Sequence, residues 1–268
     1  MIEERGSFDT IMFLQAMDEH ISSLRYAGMI QQALLPDSAL LSGIIKDHFV
    51  IYLPKDIVSG DFYYAYQNAG YTILAAGDCT GHGVPGALLS ILGISFLNEI
   101  LQLRDIPRAN RILNRMREKI MVALDQKGVE AEKKDSIDIG LCVYEPCRGV
   151  LQFSGANRPL IMIRDGKLTE IRQDKMPIGI APLEEVSFTN HRIETREGDH
   201  FYLFSDGYPD QFGEQTNKKF KTKNFRELLL SVSGLGMEKQ KEHLENAFYD
   251  WKGKTMQIDD ILVLGFET

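Results

Sequence analysis

Four aspartates stand where an apolar, strand-like run stops. They are Asp61 in Val58-Ser59-Gly60-Asp61-Phe62-Tyr63, Asp78 in Gly77-Asp78-Cys79-Thr80-Gly81-His82-Gly83, Asp206 in Phe204-Ser205-Asp206-Gly207 and Asp259 in Ile258-Asp259-Asp260-Ile261. Carboxylates and water are the preferred ligands of hard divalent cations such as magnesium and manganese. Two such ions sharing aspartates activate a water for attack on phosphorus and neutralise the phosphoryl oxygens. Each aspartate alone reads as structural: a turn cap at Asp61, an Asp-Gly turn at Asp206, a solvated strand end at Asp259. Four together, each abutting an apolar run, point to one metal centre. Asp260, Asp138 and Asp135 are further candidate ligands, although Asp138 lies inside a strand pattern where it could equally face solvent.

Three other residues invite chemistry. His82, in a glycine-rich turn, could donate a proton to a leaving oxygen; the plainer role is a turn histidine. Lys55 precedes Asp61 closely and could meet a substrate phosphate, against the plainer role of a solvated lysine. Cys79 lacks the arginine-containing phosphate loop of a nucleophilic cysteine, so its backbone carbonyl matters more than its sulfur.

The elements that position these groups follow from periodicity and turn residues. Residues 8–35 read as one helix. Leu14, Met17, Ile21 and Leu24 form a heptad-like seam, and its continuation through Ala27, Ile30 and Leu34 breaks the spacing at Gly28. This helix either packs on its own domain or pairs between protomers. Pro36 and Asp37 end it. Strands are expected at His48–Leu53, Asp61–Tyr66 and Tyr71–Ala76, with a hairpin joining the last two across 67–70. An apolar helix at 85–103 and a more amphipathic one from Pro107 to about Gln126 follow. Further strands are expected at Ile137–Tyr144, Val150–Gly155, Pro159–Arg164, Leu168–Arg172, Val186–Ile193, His200–Ser205 and Asp260–Phe266. Residues 208–222 are polar and read as a flexible surface loop. Helices at Asn224–Ser231 and Met237–Trp251 precede the last strand. Hairpin-joined strands with helix pairs in two blocks make the fold α+β. A late strand beside an early one would bring Asp259 next to Asp61 and Asp78.

Composition narrows the class. The 268 residues include 44% apolar and 25% charged residues, as in ordinary globular proteins. A net charge of -8 disfavours a nucleic-acid surface. Cys79, Cys142 and Cys147 form no CxxC pair, and such a sparse set suits a reducing, cytoplasmic setting. No stretch is expected to reach membrane-spanning length, and no signal peptide is expected. If the natural protein is membrane-attached, its anchor lies outside this chain.

Taken in order, Ile30-Gln31-Gln32-Ala33-Leu34-Leu35-Pro36, Val58-Ser59-Gly60-Asp61-Phe62-Tyr63, Gly77 to Gly83, Phe153-Ser154-Gly155-Ala156-Asn157-Arg158-Pro159, Phe204-Ser205-Asp206-Gly207 and Asp259-Asp260-Ile261 resemble the SpoIIE/RsbU branch of the PP2C-like (PPM) metal-dependent serine/threonine phosphatases. The resemblance spans residues 30–268. It implies a PP2C-like α/β/β/α sandwich of two antiparallel sheets flanked by helix pairs. It divides the chain into a linker or dimerisation helix at 1–36 and a phosphatase domain at 37–268. It implies two manganese or magnesium ions, with a third as an open option. Asp61, Asp78, the Cys79 carbonyl, Asp206 and Asp259 would be the ligands, with Asp260 nearby. His82 stands two residues beyond the position where eukaryotic relatives place an acid histidine, and their phosphate-binding arginine has no clear counterpart. The implied reaction is hydrolysis of phosphoserine or phosphothreonine on a small STAS-like protein of a partner-switching pathway. The resemblance further implies a homodimer through the N-terminal helix and an upstream sensor or membrane segment outside the chain. The alternatives are a catalytically weak phosphoprotein-binding module and a two-metal phosphohydrolase acting on a small phosphate ester.

Overall fold

The computed structural model describes residues 2–45, 47–68, 70–102, 108–126, 135–180 and 186–268, with the side chains of the first helix from Met12 onward. The elements run α1 (Ile2–Leu34), α2 (Ser38–Ile44), β1 (His48–Leu53), β2 (Phe62–Asn68), β3 (Tyr71–Cys79), α3 (Gly83–Leu101), α4 (Ala109–Ala123), β4 (Ile137–Glu145), β5 (Val150–Ala156), β6 (Leu160–Arg164), β7 (Lys167–Ile171), β8 (His191–Glu194), β9 (His200–Phe204), α5 (Gly207–Asp210), α6 (Thr222–Val232), α7 (Met237–Lys252) and β10 (Ile261–Glu267). The expected helix ends near Leu103 and Pro107 lie outside the described residues.

Two five-stranded sheets form, in the orders β1-β10-β9-β6-β7 and β2-β3-β4-β5-β8. Every ladder is antiparallel. Strand alternation decides which face each residue meets. Leu74, Ala76 and Cys142 of one sheet and Leu203, Leu262 and Leu264 of the other fill the space between the sheets. Ile73, Ala75, Ile139 and Leu141 point the other way, under Ile94 and Leu97 of α3 and Ile112 and Met116 of α4. On the far side, Ile51, Tyr202 and Val263 pack against Phe225 and Leu229 of α6 and Leu244 and Phe248 of α7. The result is the expected α/β/β/α sandwich.

Several expectations shift. Asp37 does end α1, but it also starts α2, its carboxylate accepting the Leu40 N–H at 2.7 Å. The strand expected at Val186–Ile193 shortens to His191–Glu194, because Phe188 turns into the core beneath α4 and Asp174 takes the Thr189 N–H. Residues 208–222 are not a loose loop. Tyr208 and Gln211 are buried, and the Tyr208 hydroxyl donates to the Leu244 carbonyl. Polar composition hid those two anchors. α3 is long and apolar enough to cross a membrane, contrary to the expectation that no stretch is, and half of it is buried against the sheet.

The late strand β10 does pair an early one, but that partner is β1. β2 and β3 belong to the opposite sheet. Asp259 and Asp260 therefore meet Asp61 and Asp78 across the sandwich.

The end of α1 packs through Ile21, Leu24, Gly28, Gln31 and Leu35, while Leu14, Met17, Ala27, Ile30 and Leu34 face outward. Gly28, the point where the heptad breaks, is a contact: a Cβ there would stand 2.9 Å from the Ile57 carbonyl.

Candidate metal centre

The alternation that builds the core also delivers the acids. Leu74 and Ala76 face the opposite sheet, so Asp78, two residues further along β3, faces the same way at the sheet's end. Asp138 lies directly opposite Asp78 in the β3–β4 ladder. Asp61 precedes Phe62 at the start of β2. From the other sheet, Asp206 follows β9 and Asp259 and Asp260 precede β10.

Together these ends border a cleft of about 360 Å³ lined by Asp78, Cys79, Thr80, Gly81, His82, Ser136, Asp138, Asn157, Arg158, Pro177, Asp206 and Asp259. Asp61 lies behind it, only 2% exposed. Its Oδ2 is buried with no hydrogen-bond partner among the described residues. Burial first, and then the charge of Asp78, hold the Asp61 carboxyl well above its usual range. Burial likewise pushes Asp78 up to about 7; Arg158 opposes this, and Asp206, Asp138 and Asp259 add to it. Asp138 and Asp259 are raised as well, chiefly by burial. Carboxylates crowded in this way call for a cation.

The glycines shape the turn. Gly81 and Gly83 hold φ values of +83° and +67°, which favour glycine. The Gly81 carbonyl lies 2.6 Å from where a Cβ on Gly60 would sit, and the Cys79 carbonyl 3.3 Å from it. Thr80 is tied to Ser136 by backbone and hydroxyl bonds. Asp260 gives both oxygens to backbone N–H groups, Oδ1 to Lys55 and Oδ2 to Gly60, each at 2.7 Å. It braces the segment leading to Asp61.

The remaining candidates fall as follows. His82 is the exposed N-cap of α3, its Nδ1 3.1 Å from Asp56 Oδ2. Asp135 is exposed and outside the cleft lining, its backbone carbonyl accepting from Gln126. Lys55 is bound through its backbone, and its charge only partly offsets the burial that raises the Asp259 carboxyl. The Cys79 thiol is buried, and burial followed by Asp78 pushes it well above its ordinary value, opposing a thiolate nucleophile.

Arg158, which closes the quoted Phe153–Pro159 motif with Pro159, enters the cluster as a cation. Arg158 Nη2 donates to Asp78 Oδ2 at 2.6 Å and to Asp206 Oδ2 at 2.8 Å, and stands 3.6 Å from Asp138 Oδ2. Asn157, at φ +55°, makes the turn that aims it and donates to Asp138 Oδ1 at 2.9 Å. The sequence signal was an Asn-Arg-Pro turn closing a strand. Among the described residues, no three carboxylate, imidazole or thiol groups already stand in the arrangement of a metal cage. The donors are nonetheless all oxygen, and one, on Asp61, is buried without a partner. This set fits magnesium or manganese.

Residues 68–268 match the family model for stage II sporulation protein E, SpoIIE. The SiaA-PP2C domain of Pseudomonas aeruginosa is 29% identical, with a TM-score of 0.85, covering 94% of this chain and 98% of that one. A structure of RsbU and RsbW domains from Mycobacterium tuberculosis is 17% identical at a TM-score of 0.62, covering 84% of this chain and 60% of that one. The catalytic domain of the serine/threonine phosphatase PstP was solved with two manganese ions. It is 17% identical at a TM-score of 0.56, covering 82% of this chain and 96% of that one. No curated protein matches the chain.

Proposed function

The chain belongs to the SpoIIE family of PP2C-type serine/threonine phosphatases, and from that premise we propose that it hydrolyses phosphoserine or phosphothreonine on a small STAS-like regulatory protein. The observation that carries the site assignment is the buried, unpartnered Oδ2 of Asp61 beside Asp78. Asp61, Asp78, the Cys79 carbonyl, Asp206 and Asp259 would hold two manganese or magnesium ions, with Asp138 at the rim. Ions so held supply an activated water and positive charge for the phosphoryl oxygens. The chain's own contribution is placement. The β3–β4 ladder fixes Asp78 opposite Asp138, and Asp260 holds the backbone before Asp61. His82, exposed at the cleft mouth beside Asp56, would meet a leaving group.

A protein substrate is favoured over a nucleotide. Among the described residues, the cleft lining contains no phenylalanine, tyrosine or tryptophan on which a base could stack. The RsbU–RsbW relative supports a place in a partner-switching pathway, inside the cytoplasm or on the cytoplasmic side of a membrane-attached protein. Residues 1–36 act as a linker that pairs two protomers. What supports this is the outward row of Leu14, Met17, Ile30 and Leu34, all exposed. The test offers a phosphothreonine-bearing STAS-like protein and a nucleoside monophosphate side by side, with manganese. Turnover of the phosphoprotein is expected; preference for the nucleotide would overturn the substrate assignment.

A further inference from the structure

Arg158 is mostly buried, its side chain 13% exposed, and it is the guanidinium at the centre of the aspartate cluster. An arginine that permanently bridges carboxylates usually does so with its fork, two parallel N–H bonds to one acid. Arg158 does otherwise. A single nitrogen, Nη2, serves Asp78 and Asp206 and approaches Asp138. Its Nε is buried with no acceptor among the described residues. One point of positive charge set among three carboxylates, with another donor left unsatisfied, is how a cation is held, and it is a poor use of a guanidinium.

The partners are also the wrong ones for a structural brace. Asp78 and Asp206 come from opposite sheets, and both line the cleft. Asp206 is 46% exposed, so it has room to turn away. A divalent ion drawing on these carboxylates competes for the same oxygens that Nη2 occupies.

We propose that Arg158 is the resident counter-cation of the cluster: it neutralises Asp78 and Asp206 in the metal-free protein, and a divalent ion displaces it from them on entry. The proposal rests on the metal-centre reading above. Metal binding then carries the cost of breaking the Arg158 contacts. In return, the metal-free protein is spared the repulsion of unshielded carboxylates.

The experiment is manganese titration by calorimetry on the full chain, in wild type, Arg158→Met, Arg158→Lys and Asp78→Asn, with thermal midpoints of the metal-free proteins. Methionine keeps an apolar stem of similar length and removes the charge. Arg158→Met should bind manganese about tenfold more tightly or better, and melt at lower temperature without metal. Arg158→Lys should lie between it and wild type. An affinity in Arg158→Met equal to or weaker than wild type would overturn the proposal, even where wild-type binding is intact and lost in Asp78→Asn. No binding in wild type or Arg158→Met would remove the metal-centre reading along with it. If Arg158→Met does not fold, the wild type still decides. Saturating magnesium should move the Arg158 Nε–H signal in an NMR spectrum, the signal being assigned by its absence in Arg158→Lys; an unmoved signal contradicts displacement.

Discussion

Gln31, on α1, holds the backbone of Ser59 from both sides. Its Oε1 accepts the Ser59 N–H at 3.0 Å and its Nε2 donates to the Ser59 carbonyl at 2.6 Å. The same Nε2 also donates to Ser90 Oγ on α3 at 2.8 Å. Ser59 Oγ in turn accepts the Asp61 N–H at 3.0 Å. The N-terminal helix is thus two hydrogen-bonding steps from the most buried acid of the cluster. Gln31→Ala should cost about 1–3 kcal/mol of stability, since it strands buried backbone groups, and should weaken manganese binding. Thermal melts with and without manganese check both effects. A variant as stable and as tightly metal-bound as wild type would show that α1 is only packed there.

Gly60 tests the turn. An added methyl would meet the carbonyl of Gly81 at 2.6 Å, and backbone cannot step aside cheaply. Gly60→Ala should destabilise the protein by about 1–3 kcal/mol and weaken metal binding at least several-fold. Gly70→Ala, with nothing within 4 Å of the new methyl, is the control and should leave metal binding unchanged. Chemical denaturation and calorimetry measure both.

Stability should depend on pH with a defined sign. The carboxyls of Asp61 and Asp78 are raised in the folded state, Asp78 to about 7. The folded protein therefore holds protons that the unfolded chain has released. Their contribution to the stability of the metal-free protein is fully present below the ordinary aspartate range and is lost as pH rises, for Asp78 through about 7. For Asp78 the loss is at most about 4 kcal/mol. Asp78→Asn should flatten the decline, and saturating manganese should oppose it, since the ion favours the ionised carboxylates. Melting temperatures between pH 5 and 8 give the answer; a wild type that gains stability over that range without metal would contradict the account.

The outward face of α1 has its own test. Leu14 and Met17 are 58% and 44% exposed, so the double substitution Leu14→Glu, Met17→Glu should change the folded protomer's stability by no more than about 0.5 kcal/mol. If that face pairs two copies, the mass measured by light scattering should fall to half. An unchanged mass removes the helix from the interface.

Much of this was legible before the structure. The aspartates at strand ends, the β2–β3 hairpin and the buried α3 follow from alternation and turn residues alone, because strand pairing must place apolar residues inward. Arg158 and Gln31 were harder. Both are single polar residues whose partners lie 80 and 28 positions away in the chain, and no local pattern announces a contact at such separation. Gly28 misled for a related reason. A broken heptad looks like a flaw in a coiled coil, yet the missing side chain is what lets α1 approach Ile57. The segment at 208–222 reads as a loop from its composition because the burial of Tyr208 and Gln211 depends on α7, which follows it in the sequence.

The most direct test of the central claim is hydrolysis of a generic aryl phosphate by wild type and Asp78→Asn, with and without manganese. The account predicts turnover by wild type only with the ion, and its loss in Asp78→Asn. Turnover of equal size without the ion, or undiminished in Asp78→Asn, would contradict it.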